Sequence, residues 1–129
     1  MRPVSVMPNL YTADVERAVA FYRDLLGGTQ TFRTPAEGRA VHVELRLGDV
    51  VLALSSREAV QRQGLPAPES GHPMELVVGC ESADDAVADL RAAGTPVLVE
   101  PYSHPSGHRR AYVADPDGNW IALVSRQGA

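Results

Sequence analysis

The chain has 129 residues, enough to enclose one core without disulfide or metal staples. An apolar fraction of 44% and a charged fraction of 22% exclude wholesale disorder. A formal charge of −4, with no cluster of Lys or Arg, speaks against a surface that tracks nucleic-acid phosphates. The lone cysteine, Cys80, has no partner for an internal disulfide and fits a reducing compartment. Met1-Arg2-Pro3-Val4-Ser5 leads into a strand-like pattern rather than an apolar signal segment, and no apolar run is long enough to cross a bilayer. The expectation is a cytoplasmic protein with neither membrane nor nucleic-acid partners.

In chain order, Val4–Tyr11 reads as a strand. An amphipathic helix follows, its apolar residues Val15, Ala18, Val19, Tyr22, Leu25 and Leu26 at helical spacing. Thr12 or Asp14 can cap it, and Gly27-Gly28 stops it. Strands are expected at Thr29–Thr34, Ala40–Leu47 and Val50–Ser55, with a tight turn at Gly48-Asp49. A segment rich in Pro, Gly, Gln and Glu then runs to Pro73, with a helical turn at Arg57–Arg62. The pattern now repeats. A strand at Met74–Cys80 precedes a helix carrying Ala83, Ala86, Val87, Leu90 and Ala93, with Ser82 and Asp85 as a capping pair and Gly94 as the stop. Strands at Pro96–Tyr102, Arg110–Ala114 and Trp120–Ser125 close it, with a turn at Asp117-Gly118.

One constant shift lays Ala18-Val19-Ala20 on Ala86-Val87-Ala88 and Arg23 on Arg91. The chain therefore reads as a repeat of strand, helix and three strands. Module one covers about 1–56, a linker covers 57–73, and module two covers about 74–126. Neither module has enough sequence to bury both faces of its sheet, so one domain over 1–129 is expected.

The helix Asp14-Val15-Glu16-Arg17-Ala18-Val19-Ala20-Phe21-Tyr22-Arg23-Asp24-Leu25-Leu26-Gly27 resembles the first helix of vicinal-oxygen-chelate proteins. Tyr112-Val113-Ala114-Asp115-Pro116-Asp117-Gly118-Asn119 resembles that family's last hairpin. The resemblance implies an α+β fold in which two tandem βαβββ modules form curved mixed sheets with a cleft. It implies no one function, since the family spans lyases, dioxygenases, epimerases, thiol transferases and drug-binding proteins without catalysis.

Where family members hold a divalent cation, the resemblance places the ligand positions at Met7 and Glu75 on the first strands and Ala53 and Ala122 on the last. The internal repeat relates the same pairs. Alanine offers no donor, a thioether suits soft cations, and one carboxylate does not hold a catalytic metal. No metal and no cofactor are therefore expected. A displaced site would have to draw on His42, Glu44, His72, His104 and His108, of which the last three read as solvated loop histidines.

Alternation sorts the remaining side chains. Val41, Val43, Leu45 and Leu47 form the core face of one strand, leaving His42, Glu44 and Arg46 opposite. Ile121 and Leu123 face the core, leaving Trp120, Ala122 and Val124 toward the cleft. Met7, Asn9, Tyr11, Ala53, Glu75, Val77 and Tyr112 join the cleft side, and the loop Tyr102–Arg109, with His104 and His108, forms a rim. Met7 and Trp120 also read as ordinary packing, and Glu44 with Arg46 as a solvated or dimer-facing pair. A cleft of this composition suits a flat, partly apolar ligand.

The resemblance is nearest to metal-free family members that sequester bleomycin, mitomycin or related drugs as homodimers, and the segment Tyr102-Ser103-His104-Pro105-Ser106-Gly107-His108-Arg109 is similar to their rim loop. Ser106 stands where many of them have an aromatic residue. The first reading is thus a non-catalytic homodimer that sequesters a planar antibiotic. The second is an enzyme of the same fold using Glu75 with a histidine, or a displaced metal. The third is a dimeric or regulatory subunit with no small ligand.

Overall fold

Pro8 has no N–H to give a ladder, and the first strand begins just after it. In a computed structural model, which describes residues 1–69 and 71–127, β1 spans Asn9–Thr12. The expected start at Val4 is too early, and Met7 lies outside the strand, 39% exposed. The Pro8 carbonyl still accepts the Ala53 N–H at 2.8 Å. Chain contacts divide the protein into two units, residues 1–70 and 71–129. The first thus extends past the expected module boundary.

In the first unit Asp14, rather than Thr12, caps α1 (Val15–Val19), accepting the Arg17 N–H at 3.1 Å. The helix does not continue as a regular α-helix. Residues Ala20–Leu25 form a wider π-helical turn, with Leu26 N–H donating to the Phe21 carbonyl at 3.1 Å. The extra width brings Phe21 into the core edge-on to Tyr22, ring centroids 5.1 Å apart, and turns Leu25 outward. Leu25 was expected inside, because simple helical spacing does not anticipate the wider turn. Strands β2 (Thr29–Thr34), β3 (His42–Leu47) and β4 (Val50–Ser56) complete a mixed sheet in the order β1-β4-β3-β2. Only β1 and β4 are parallel. Val15, Ala18, Val19 and Tyr22 are buried, as are Val43, Leu45, Leu52 and Leu54 of the sheet. The helical turn expected after β4 is α2 (Arg57–Arg62), capped by Ser56.

The second unit repeats the plan. After Pro73, β5 (Leu76–Gly79) leads to α3 (Ala83–Ala92), where Ser82 accepts the Asp85 N–H at 3.1 Å. Strands β6 (Val97–Ser103), β7 (His108–Ala114) and β8 (Trp120–Arg126) give the order β5-β8-β7-β6, with β5 and β8 parallel. Ala83, Val87 and Leu90 are buried on the helix, and Ala111, Val113, Ile121 and Leu123 on the sheet. Buried Asp115 holds the β7–β8 turn, its carboxylate accepting the N–H groups of Asp117 and Asn119 and the Asn119 side-chain amide. The α+β fold of paired βαβββ units is thus present, and neither sheet closes on itself. No helix among the described residues is long and apolar enough to cross a membrane.

Two departures bear on the site. The pairing of β6 with β7 slips twice, between Val97 and Val99 and between Val99 and Tyr102. Pro101, which has no N–H for the ladder, sits in the second slip on this edge strand. As a result Leu98 and Val99 are both exposed, at 47% and 43%, instead of alternating. The second departure is that β6 and β7 run further than expected, so the rim loop shrinks to a tight turn closed by His104 N–H to the His108 carbonyl at 2.8 Å and back from Gly107 N–H to the His104 carbonyl at 3.0 Å.

The end of the π-helical turn makes a specific demand. Gly28 N–H donates to the Tyr22 carbonyl at 2.9 Å, and a Cβ there would lie 2.8 Å from that same oxygen. Gly28→Ala is expected to destabilise the protein by roughly 1–3 kcal/mol, as overpacking in a well-fitted core does. A urea midpoint equal to that of the parent protein would refute this.

Candidate functional site

In the first unit the strand register stacks one set of side chains on one face. Asn9 pairs with Ala53 and Tyr11 with Ser55, while Glu44 and His42 meet the same two residues from β3. Their polar atoms form a chain of hydrogen bonds. Ser55 Oγ donates to Asn9 Oδ1 at 2.9 Å and bonds His42 Nδ1 at 2.7 Å, while His42 Nε2 bonds Glu44 Oε2 at 2.8 Å. Both ring nitrogens of His42 are therefore engaged within the protein. A concavity of about 440 Å³ opens here, walled by Asn9, Tyr11, His42 and Ser55 together with Val60 and Leu65 beyond the sheet.

In the second unit parity along β7 and β8 decides the face. Val77, Ala122 and Tyr112 are in register, as are Val124 and Arg110 beside them. Glu75, Leu98, Val99, Tyr112 and Trp120 wall a largely apolar concavity of about 400 Å³. Trp120 is 40% exposed, yet its ring is covered: His72 lies flat on it, centroids 4.1 Å apart and planes 7° off parallel. Glu75 makes no hydrogen bond or ion pair among the described residues. Arg110 Nη1 donates to the Tyr112 hydroxyl at 3.1 Å. That bond, against some desolvation and helped by Tyr112, Tyr102 and Glu75, holds the guanidinium above its ordinary value. Its Nε is buried without a hydrogen-bond partner among the described residues.

The expected site residues fall into groups. Asn9, Tyr11, His42, Glu44 and Ala53 share the first unit's face, and Glu75, Val77, Tyr112, Trp120 and Ala122 share the second's. Met7 sits apart, before β1. Arg109 faces the other way, because β7 starts at His108 and odd positions point toward α3. It forms a two-pronged pair with Asp84, Nε to Oδ2 at 2.9 Å and Nη2 to Oδ1 at 3.0 Å. That guanidinium holds the Asp84 carboxyl below its ordinary range. His104 and His108 are joined through Ser106 Oγ at 2.7 and 3.1 Å, and Tyr102 lies beside His104. His72 and His108 are exposed, as solvated loop histidines should be, and each of the three also has a defined contact within the chain. Burial pushes the Cys80 thiol up, away from thiolate character at neutral pH.

Sequence reasoning missed Ser55, Arg110, Leu98 and Val99. Arg110 and Ser55 were within reach of it, each standing two residues from a position already assigned to the cleft face. The bulged pair Leu98 and Val99 was not, since Pro101 was the sole hint of a slip.

The metal positions implied by the resemblance do not fit a catalytic cation. Ala53 and Ala122 are fully buried and bring no donor, Met7 offers sulfur, and Glu75 is the one carboxylate. Among the described residues no three His, Cys, Asp or Glu side chains converge to hold a metal.

The sequence model of the Glyoxalase/Bleomycin resistance protein/Dioxygenase superfamily matches residues 4–123. No curated protein matches the chain. Among solved structures, a glyoxalase/bleomycin resistance protein/dioxygenase from Nocardioides is 27% identical, with a TM-score of 0.78 over 100% of this chain and 87% of that one. A family enzyme from Burkholderia phytofirmans PsJN is 22% identical, with a TM-score of 0.82 over 93% and 96%. A lactoylglutathione lyase from Agrobacterium tumefaciens is 23% identical, with a TM-score of 0.69 over 97% and 96%. The last two likenesses speak for the fold alone.

Ser55 is the link on which the first unit's polar chain depends. Ser55→Ala is expected to cost about 1–3 kcal/mol, the penalty for leaving Asn9 and His42 with unmet polar groups. Denaturant melts measure the cost, and the ring-nitrogen chemical shifts of His42 should move with it. Unchanged shifts would mean the chain does not exist in solution.

Proposed function

Because this chain belongs to the Glyoxalase/Bleomycin resistance protein/Dioxygenase superfamily, its fold leaves the chemistry open, and we propose that it is a non-catalytic protein that sequesters a flat, partly apolar small molecule of the antibiotic class. The observation that carries this reading is the His72–Trp120 stack. A planar heteroaromatic ring from the chain itself already lies parallel on the indole, over a concavity whose wall is mostly apolar. A ligand ring that displaces His72 would find the same platform, with Leu98, Val99 and Tyr112 as its walls. Glu75 in its wall supplies a carboxylate to accept, and Arg110 reaches it only through the Tyr112 hydroxyl to which it donates. Metal ligation contributes nothing to this reading, and affinity alone suffices for sequestration. The homodimer implied by the resemblance belongs to the same proposal, and light scattering reads it directly.

One observation favours a second reading, an acid–base enzyme: His42 and Glu44 lie within hydrogen-bond reach beside a concavity. The engagement of both imidazole nitrogens weighs against it, since a substrate would have to displace Ser55 or Glu44 first. Glu75, expected to partner a histidine in such an enzyme, bonds none among the described residues.

Trp120 is the single tryptophan, so its fluorescence reports on the platform alone. Planar aromatic drugs are expected to quench it saturably, and the drug should be recovered unchanged by mass spectrometry. His72→Ala should strengthen binding, and Trp120→Ala, followed by calorimetry, should weaken it roughly tenfold through lost stacking. A chemically altered drug would replace sequestration with catalysis. Tight, stoichiometric uptake of Mn, Fe(II), Ni or Zn by the metal-stripped protein would reopen the metal site.

A further inference from the structure

Next to the first unit's concavity, with which it shares Val41, three arginines line another hollow. Arg39 precedes β3, while Arg57 and Arg62 open and close α2. With Thr12 and Ser56, at the paired ends of β1 and β4, they line a cavity of about 470 Å³ in the first unit. Glu58 is the one carboxylate among the described lining residues, so the hollow carries a net positive charge on a protein whose formal charge is −4. Glu58 does little to cancel it. It approaches Arg62 no closer than 3.9 Å, and both side chains are largely exposed.

The second observation is what the hollow leaves unmet. Arg57 Nε is buried with no hydrogen-bond partner among the described residues. A buried charged donor in that state calls for a partner that these residues do not supply. Ser56 adds a hydroxyl: its Oγ accepts the Ala59 N–H at 3.2 Å, which leaves its own O–H to donate.

We propose that this hollow is a binding site for a phosphomonoester, held by Arg57 and Arg39 with Arg62 at its edge. The charge sets the class: three guanidinium groups against one carboxylate match a group that carries close to two negative charges at neutral pH. Guanidinium forks bind phosphate oxygens in pairs, which an ammonium does not do. The volume exceeds what a free oxyanion fills, so the phosphate arrives on a small organic body that rests against Ala13, Ala40 and Val41. No lining residue is shared with the Trp120 concavity, so the proposal stands whether or not a drug binds there.

Calorimetry of the full chain with phenyl phosphate, inorganic phosphate, benzoate and phenol tests it. Phenyl phosphate should bind at one site per chain, more tightly than inorganic phosphate or benzoate, and weaken as sodium chloride is raised; phenol should give no heat. Arg57→Gln should weaken binding at least about tenfold. Arg39→Gln, on an exposed segment, should do likewise and covers the case in which Arg57→Gln fails to fold. Absence of saturable binding, equal affinity for benzoate, or an undiminished affinity in a folded variant would each overturn the assignment.

Discussion

Each unit depends on one parallel pairing: its first strand lies beside its last, β1 on β4 and β5 on β8. Parallel neighbours need a crossover long enough to return the chain, and the helix and two intervening strands provide it. The helix must then bury its stripe on one sheet face, which leaves the other face to the remaining side chains. Register does the rest. Opposite Asn9 stands Ala53 and opposite Val77 stands Ala122, so a small buried residue sits centrally on each of these faces.

The two units share a backbone plan but spend these faces differently. The first places Asn9, Ser55, His42 and Glu44 in line and satisfies them from within. A polar group that has its partner in the protein is poorly placed to seek one in a ligand. Among the described residues the second leaves Glu75 without a hydrogen bond or ion pair and buries Arg110 Nε without a hydrogen-bond partner, and it exposes apolar wall on a bulged edge strand. Unmet polar groups beside uncovered apolar surface are the usual composition of a ligand pocket. This contrast, rather than any shared motif, distinguishes the two faces.

Much of this was legible in the residues. Strand β2 runs where it was expected, α2 occupies the anticipated helical turn, and the glycine stops and Ser82 cap fall at the helix ends. Those features rest on local chemistry: periodicity, caps and turn residues act within a few positions. The misses have a different origin. The π-helical turn exchanged Leu25 for Phe21 because packing overrode a simple helical spacing. The slips in β6 put two neighbours on one side because an edge strand with a proline can afford a bulge.

From its sequence alone the protein was determined to be an α+β repeat with donorless alanines at two of the family's ligand positions, since identity and spacing decide both. Tertiary structure decided which side chains meet. Arg109 turned to Asp84 and Arg110 to Tyr112 because the register of β7 against β8 sets their parity. His72 left an apparently solvated linker for Trp120, and Arg39 joined Arg57 across intervening strands. Contacts between residues far apart in the chain form when the fold closes, and no local pattern encodes them.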